Sequence, residues 1–527
     1  MPVGNIEPAA NRQIARAAGT VMVAFVFGNL AGLARQILVT DAFGTTASLD
    51  SFSAANRVSE TLFYLVAGGA LSSAFIPTFT SLLARGERKS AWKLASAIFN
   101  LALIVLVMAA ALAAIFAPQV VRYAIAPGFV DDPSQYSLTI NLLRLMLPSA
   151  VLFGISGLVM AILNSHQVFL IPSLTPAMYQ IGMILGVILL ERSLGIYGLA
   201  WGVLLGSALH LLLQLPSLWR LRGIYTPTLG LRIPAVREVA GMMIPRLFGV
   251  AVVQLNFWIN IRLASHMPEG SAAAITLALA LMLMPQAAIA QSIAIAAMPT
   301  LSAQFALGKL DEMRSSLSSS LRWVLLLAVP ATIGLIALRV PVVQALYQRG
   351  LFDDHSTQLV AWALMWYTAG LVGHSLVEIL SRAFYALHDT RTPVLIGSLA
   401  MGVNILLSIV LADVFARGGW MPHGGLALAN SLATAGEAAA LLFLIRRRLK
   451  GLESRRVWIG VGQALAAALG MAGALVWWLQ ISLNQAPWFV TSGGILIGAA
   501  VFILLAWVVG VRELKDGLLL IARRFGW

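Results

Sequence analysis

Residues 95–117 read ASAIFNLALIVLVMAAALAAIFA, which is 23 consecutive positions without a charged side chain. A helix needs about 20 predominantly apolar residues to cross the hydrocarbon core of a bilayer, so this stretch predicts a transmembrane helix. Similar stretches fill the chain almost end to end. We predict about fourteen such helices, at residues 18–43, 52–82, 95–117, 136–163, 169–190, 197–217, 236–265, 272–304, 319–339, 356–386, 392–413, 424–446, 458–481 and 488–511. The chain is therefore expected to be an all-α polytopic membrane protein.

The composition agrees with a chain that lies mainly in lipid. Of its 527 residues, 59% are hydrophobic and 11% are charged, whereas a soluble domain carries about 25% charged residues. The net charge of +14 lies largely in short loops beside apolar stretches. There it sets the orientation in the membrane, so we expect no nucleic-acid partner. The absence of cysteine excludes disulfides, thiol catalysis and cysteine-ligated metals.

Arginine and lysine gather in every second loop, and the richest of these loops lie at 85–93, 220–237 and 446–456. Short loops rich in basic residues are typical of the cytoplasmic side of a membrane protein. All of these loops fall on the side of the N-terminus, and the number of predicted helices is even. Both chain ends are therefore expected to be cytoplasmic.

A weak internal repeat relates the two halves of the chain. Residues 74–86 match 296–308 at Ala, Pro, Thr, Ala and Gly positions, with an offset of 222 (299 − 77). Residues 161–166 match 383–388 in their Ala and His at the same offset (383 − 161). Two matches at one offset predict a duplicated unit of six helices.

Because six is an even number, both copies enter the membrane in the same sense. We expect two parallel six-helix lobes, residues 1–222 and 223–450, around a central cavity, as in transporters that work by alternating access. Residues 451–527 contain two further C-terminal helices and a tail. Pro77 and Pro299 occupy equivalent positions in the two lobes and are either hinges or helix terminators.

Polar side chains inside the predicted helices mark a candidate binding site. An ionisable group at membrane depth costs several kcal/mol unless it faces a cavity or a partner. Cations outnumber anions among these groups, and arginine binds phosphate oxygens through two fixed donors. The pattern therefore favours an anionic substrate. The candidate substrate-binding residues are Asn29, Arg35, Arg57, Arg246, Asn256 and Asn260.

Arg35 is the central candidate of this set. Asn29 precedes it by six residues, and the small residues Gly28, Ala31 and Gly32 allow a neighbouring helix to approach closely. These features predict that Arg35 lies on a polar flank of its helix.

Several of the other charges have a structural alternative. Arg57, Arg262 and Arg382 lie within about two turns of a predicted helix end, and long basic side chains near such an end extend to the membrane interface. Glu378 and Glu437 are partners for arginine, a pair of buried carboxylates, or proton or cation sites.

The sequence lacks the signals of soluble enzymes. It contains no glycine-rich phosphate loop with lysine, no histidine pair with the spacing of metal ligands and no evident Ser/His/Asp set. We therefore expect a transporter without catalytic residues, metal or cofactor. Catalysis on lipid phosphates within the membrane is the alternative.

Several motifs follow one another in the order found in a known family. They are GLAR at 32–35, DSF at 50–52, GALSSAFIP at 69–77, APGF at 126–129, LYQRG at 346–350, RAFYAL at 382–387 and DTRTP at 389–393. With these motifs the chain resembles the MurJ (MviN) lipid II flippases over most of its length. The residues that the resemblance marks as functional are Asp50, Gly69, Pro77 and Arg382.

The resemblance implies a member of the multidrug/oligosaccharidyl-lipid/polysaccharide (MOP) exporter superfamily in the bacterial inner membrane. Such a flippase moves lipid II, the undecaprenyl-pyrophosphate-linked peptidoglycan precursor, from the inner to the outer leaflet for cell-wall synthesis. Its two lobes enclose a cationic cavity, and its last two helices help to form a groove for the lipid tail. The expected partners are this lipid, membrane lipids and proteins of cell-wall synthesis, and we expect a monomer.

The sequence departs from the family pattern inside the expected cavity. Asn29 stands where the family has a second arginine in the first helix, and Phe63 and Ala280 stand in place of arginines in the second and eighth helices. Gly68 stands in place of a glutamate. The cavity is therefore expected to be less cationic than in relatives. Two alternatives follow, a flippase for another polyprenyl-linked oligosaccharide and a membrane scaffold that has lost transport.

Overall fold

The computed structural model describes residues 7–66 and 70–511, except for the side chains at 7–23, 25, 66, 70–73, 245, 246, 248 and 454. All regular elements in these residues are helical, with no strand among them. The first ten α-helices are α1 (Glu7–Phe43), α2 (Ala47–Val66), α3 (Ala70–Ala84), α4 (Arg88–Ile115), α5 (Ala117–Gln119), α6 (Pro133–Ser165), α7 (Leu170–Leu194), α8 (Ile196–Leu212), α9 (Leu215–Arg220) and α10 (Pro234–Ala264).

The second ten complete the described chain. They are α11 (Ser271–Gln286), α12 (Ser292–Ala306), α13 (Leu310–Ala337), α14 (Arg339–Tyr347), α15 (Asp354–Ala369), α16 (Leu371–Ala386), α17 (Arg391–Arg417), α18 (His423–Arg448), α19 (Ser454–Ile481) and α20 (Pro487–Val508). A π-helical turn, Ala287–Gln291, joins α11 to α12 directly after Pro285, whose ring removes one helical hydrogen bond.

Within the described residues, ten helical segments are long and apolar enough to cross a membrane, and two bent helix pairs raise the number to twelve. These twelve correspond to the third to fourteenth predicted helices. The first two predicted helices fall on α1 and on α2 with α3. The prediction of an all-α, multi-pass membrane protein is therefore confirmed, whereas the number fourteen stays a prediction.

The packing divides the chain into two compact units. The first packing unit contains residues 1–269 and 349–351, and the second contains residues 270–348 and 352–527. Helix α10 belongs to the first unit because it packs on α2, α3 and α4. This packing boundary lies after α10, whereas the predicted lobe boundary at residue 222 lies before it. The lobes 1–222 and 223–450 and the segment 451–527 stay predictions about movement during transport.

In the first unit, α7 and α8 pack through glycines. A Cβ atom on Gly182 would lie 2.1 Å from the Cα atom of Gly206, and one on Gly186 would lie 2.5 Å from the Cα atom of Gly202. Side chains at these positions would push the two backbones apart. Such close contact between small residues is a common way to join helices in lipid, where no hydrophobic effect drives association.

In the second unit, α15 and α16 form a helix pair that bends by 46° around Gly370. The Oγ atom of Ser431 in α18 donates a hydrogen bond to the carbonyl oxygen of Trp366 at 2.6 Å. A Cβ atom on Gly370 would lie 2.6 Å from this same Oγ atom. The absence of a side chain at Gly370 therefore leaves room for the Ser431 hydroxyl, which hydrogen-bonds to a backbone carbonyl beside the bend. Backbone groups at a helix break within a membrane need such partners.

The motif at 389–393 joins α16 to α17. The carboxylate of Asp389 accepts hydrogen bonds from the backbone N–H of Thr392 at 3.0 Å and from its hydroxyl at 2.8 Å, and it pairs with Arg448 at the end of α18. Partial burial pushes the pKa of Asp389 upward, but the Thr392 hydrogen bonds and the Arg448 charge lower this pKa below its usual value. The motif therefore caps one helix and ties it to another.

Candidate functional site

A polar cavity of about 430 Å³ lies inside the first packing unit. We call it the Arg35 cavity. Five helices line it, namely α1, α2, α6, α7 and α8. Its polar lining residues are Arg35, Asn56, Ser59, Glu60, Tyr64, Ser149, Tyr179, Gln180 and His210, and its apolar lining residues are Phe63, Phe153, Met160, Pro176 and Val203.

Arg35 is a cation in the lining of this cavity, and no carboxylate among the described residues pairs with it. Its Nη1 atom lies 3.5 Å from the sulfur of Met183, and its Nε atom is buried without a hydrogen-bond partner among the described residues. Gly32, one turn earlier, lets α7 approach, because a Cβ atom there would touch the Gln180 side chain at 3.7 Å. The guanidinium group is thus held in the cavity with donors available.

Several other buried polar atoms that line the Arg35 cavity also lack partners within the described chain. These are Asn56 Oδ1, Ser59 Oγ and Gln180 Oε1. Most buried polar groups in proteins are hydrogen-bonded, so a group of unpaired atoms around one cavity calls for an explanation. The residues that carry these unpaired donors and acceptors lie on three helices around one cavity. The arrangement suits a polar ligand.

Glu60 brings a negative charge to the same cavity. Its carboxylate accepts a hydrogen bond from Asn56 Nδ2 at 2.8 Å and pairs with Arg57 Nη1 at 2.9 Å. The Arg57 guanidinium also lies 4.7 Å from the ring centre of Phe257 in α10. Arg57, a predicted ligand, is therefore engaged by Glu60 and by an aromatic ring and does not line the Arg35 cavity.

The remaining predicted ligands lie elsewhere. Asn29 is exposed on α1 and is not part of the cavity lining. Asn256 is buried on α10, where its Oδ1 atom accepts a hydrogen bond from Asn260 Nδ2 at 3.0 Å, and neither residue lines the cavity. The side chain of Arg246 lies outside the described residues. Of the predicted ligands, only Arg35 is thus seen to line this cavity.

The predicted motif residues are dispersed. Asp50 is buried in the first turn of α2, where a negative charge favours the helix N-terminus. Pro77 is exposed within α3, not at its end, and Gly69 lies outside the described residues. Arg382 belongs to the second unit, where its Nη2 atom donates to Glu378 at 2.7 Å.

This ion pair bears on the alternatives left open for Glu378 and Glu437. Glu378 is a partner for arginine, whereas Glu437 forms no ion pair with any described residue.

One departure from the family pattern falls inside the cavity. Phe63 lines it and packs on Phe153 with the ring centres 4.8 Å apart. An aromatic contact therefore occupies the position where the resemblance implies a guanidinium group. Ala280 lies half-buried on α11 in the second unit.

The sequence analysis missed Tyr179, Gln180 and His210, which line the cavity from α7 and α8. Tyr179 and Gln180 are neighbours in α7, and His210 lies near the end of the largely apolar α8. His210 Nδ1 lies 2.6 Å from the Ser156 hydroxyl, which also accepts a hydrogen bond from Gln214. Polar residues within the predicted apolar helices at 169–190 and 197–217 were the available signal.

The second packing unit holds an apolar cavity of about 630 Å³ between α11, α13, α14, α19 and α20. Its walls include Leu326, Leu335, Met471, Leu475 and Phe502, and no charged side chain lines it. The last two helices thus form part of an apolar recess.

Comparison with known proteins identifies the family. The sequence profile described as lipid II flippase MurJ matches residues 39–497. The lipid II flippase MurJ of Burkholderia cenocepacia is 29% identical over 515 residues, which cover 94% of this chain and 98% of that protein. A lipid II flippase is a multi-pass transporter of the inner membrane.

Solved structures show the same fold. A lipid II flippase MurJ in an inward closed conformation has a TM-score of 0.79 at 23% identity, with 93% of this chain and 98% of that chain covered. An inward-facing multidrug resistance transporter of the MATE family in the MOP superfamily has a TM-score of 0.63 at 16% identity, covering 80% and 94% of the two chains. Because the family profile spans most of the sequence, this chain belongs to the MurJ family of lipid II flippases.

Proposed function

We propose that this protein moves lipid II from the inner to the outer leaflet of the bacterial inner membrane by alternating access. The observation that carries the proposal is the position of Arg35. In a chain of the MurJ family, this arginine lines a polar cavity within a bundle of membrane helices, and its buried Nε atom has no hydrogen-bond partner among the described residues. A fixed guanidinium donor in a poorly hydrated site is suited to a phosphate oxygen.

The size of the Arg35 cavity indicates which part of lipid II it receives. A volume of about 430 Å³ is at the lower end of the range for small-ligand sites. It has room for the pyrophosphate and adjoining atoms of the lipid, but not for the whole saccharide with its peptide. The larger part of the head group would lie outside the Arg35 cavity.

The apolar cavity of the second unit is our candidate site for the polyprenyl tail. Its lining is aliphatic and aromatic, and α19 and α20 contribute one wall. A tail held there stays in an apolar environment while the head group crosses. The hydrophobic cost of moving the lipid is thereby avoided.

The loop charges support an orientation with both chain ends in the cytoplasm. The head group then enters from the cytoplasmic leaflet, and the lobes rock to release it outward. A charge that crosses the field is worth about 2.3 kcal/mol per 100 mV, so the membrane potential or an ion gradient is sufficient to bias the cycle. We further propose that the protein transports as a monomer and delivers lipid II to proteins of cell-wall synthesis.

Two alternative functions are supported by three uncharged residues. Asn29, Phe63 and Ala280 stand at positions that are arginines in the family pattern. Fewer cations favour a cargo with a less anionic head group, such as another polyprenyl-linked oligosaccharide. A scaffold without transport is the remaining candidate.

Complementation tests the proposal. In a host depleted of its own lipid II flippase, the wild-type chain should restore growth and Arg35→Ala should not. Loss of a hydrogen bond to a charged group costs about 2 kcal/mol, which weakens head-group binding roughly thirtyfold. Arg144→Ala is the matched control, because Arg144 lies on the membrane helix α6 outside the cavity and, among the described residues, donates to the carbonyl oxygen of Ala114 alone.

Each outcome has a distinct meaning. Growth with Arg144→Ala but not with Arg35→Ala supports the proposal. Equal growth with Arg35→Ala contradicts a role for this side chain, and no growth with any version favours another cargo or the scaffold.

A further inference from the structure

Glu60 places a carboxylate in the cavity that an anionic head group has to enter. It lines the Arg35 cavity, and its side chain is 33% exposed, so water reaches it. Its charge is balanced by Arg57 at 2.9 Å. With Arg35 and Arg57 as cations and Glu60 as the anion, this group of three side chains carries a net charge of +1 (2 − 1).

We propose that Glu60 takes up one proton from water when the pyrophosphate of the substrate binds beside Arg35, so that head-group binding is coupled to a proton. This inference rests on the proposed function and names the coupling ion. The proton moves from water to a carboxylate oxygen of Glu60, and no bond of the substrate is formed or broken. Arg57 then loses its anionic partner, and the net charge of the three side chains rises from +1 to +2.

The physical reason is repulsion between anions in one poorly solvated space. A carboxylate and a pyrophosphate that share a cavity of about 430 Å³ would lie no farther apart than that cavity is wide. At such distances a neighbouring anion favours the neutral form of a carboxyl group. By linkage, a ligand that promotes protonation binds more tightly when protons are abundant. The affinity for the substrate therefore falls as the pH rises.

The neighbouring helices supply few competing titratable groups. The charged or titratable side chains around Glu60 are Arg57 and Tyr64 on α2, Arg35 on α1, Tyr179 on α7 and His210 on α8. Arginine stays charged, and tyrosine ordinarily titrates near pH 10. His210 is the one other group in this set that ordinarily titrates near neutral pH.

Among the side chains that the structure describes, the other helices packed on α2 add none. The side chains that α6 and α10 present there do not titrate, namely Ser149, Phe153, Met160, Gln254, Phe257 and Trp258. Helices α3 and α4 contribute none of their described side chains to the cavity.

The experiment measures lipid II binding to the purified full-length protein in lipid nanodiscs across a pH series around neutrality. The wild type should lose affinity by up to about tenfold per pH unit, the limit for one linked proton. Glu60→Gln keeps the size of the side chain and one oxygen that can accept from Asn56, without the charge. Its affinity should therefore not depend on pH and should exceed that of the wild type at high pH. Glu60→Asp should restore the dependence.

A second readout follows the proton directly. The measurement uses a weakly buffered solution with a pH indicator. Lipid II binding to the wild type should remove protons from this solution, whereas binding to Glu60→Gln should remove none. The matched control is Glu378→Gln, which removes an equivalent intrahelical ion pair, Glu378–Arg382 at 2.7 Å, in the second unit. This control should keep the wild-type pH dependence.

The outcomes separate the two proposals. If no version binds lipid II at any pH, the proposed function fails and the coupling fails with it. If lipid II binds and the pH dependence is the same in the wild type and Glu60→Gln, the coupling alone is overturned. A pH dependence carried by His210 would give this second result, because Glu60→Gln retains that residue.

Discussion

Arg35 and Arg57 show at the scale of single residues what the sequence does and does not determine. Both are arginines in apolar surroundings, and the sequence analysis proposed both as ligands. The structure places Arg35 in the cavity with an unpartnered Nε atom, whereas Arg57 pairs with Glu60 three residues later on the same helix. The spacing of this pair was available from the sequence. The sequence did not show which helix face borders a cavity, because that depends on how five helices pack together.

Asp389 offers a test at the same scale. Asp389→Ala removes the acceptor for Thr392 and the partner of Arg448. Loss of a helix cap of this kind costs about 1–2 kcal/mol of the free energy of unfolding. We expect a lower apparent Tm in detergent at neutral pH. Asp413→Ala is the matched control and should have little effect, because its ion pair with Arg417 is largely exposed.

The pH dependence of this effect has a defined sign. The folded state lowers the pKa of Asp389, so the stability it contributes is present above the ordinary aspartate pKa of about 3.9 and is lost as the pH falls below it. The difference in Tm between the wild type and Asp389→Ala should therefore shrink in strong acid. A constant difference would show that the ionised carboxylate is not what stabilises this junction.

At the scale of the elements, the helices themselves were predictable because lipid demands about 20 apolar residues from each spanning helix. The break at Gly370 and the π-helical turn after Pro285 were not recognised as interruptions of their predicted spans. A backbone break in a membrane requires a partner from another helix, and here Ser431 supplies it from 61 positions later (431 − 370). Tertiary contacts of this kind leave no mark in local hydropathy.

The close contact between α7 and α8 positions residues that line the Arg35 cavity. A Cβ atom on Gly206 would lie 2.5 Å from the carbonyl oxygen of Tyr179, and Tyr179 and Gln180 line the cavity. Gly206→Ala should therefore separate the helices, cost about 1–3 kcal/mol of the free energy of unfolding and weaken lipid II binding. Thermal unfolding and a binding assay on the purified protein measure both effects.

Gly402→Ala is the control for this helix contact. Gly402 lies in α17, where a Cβ atom meets nothing within 4 Å, so alanine there should leave stability and binding unchanged or improve stability slightly. If Gly206→Ala behaves like Gly402→Ala, the close contact does not position the cavity wall.

At the scale of the whole molecule, the ordered motifs predicted the family, and the family profile over residues 39–497 confirms it. The repeat predicted lobes of six helices, whereas packing alone assigns α10 to the first unit. A sequence repeat indicates which segments correspond to each other, whereas packing describes the contacts in one conformational state. A transport cycle that moves lobes against each other therefore need not follow the packing boundary, and the lobe limits remain a prediction.

The most direct test of the account is movement of lipid II across vesicles that contain only the purified protein. Fluorescent lipid II is placed in one leaflet, and its arrival in the other is followed with a membrane-impermeant quencher. We predict that the wild type moves the lipid faster than protein-free vesicles, that Arg35→Ala falls toward the protein-free rate and that Arg144→Ala remains near the wild type. Movement by the wild type no faster than in protein-free vesicles, or equal movement by Arg35→Ala, would contradict the account.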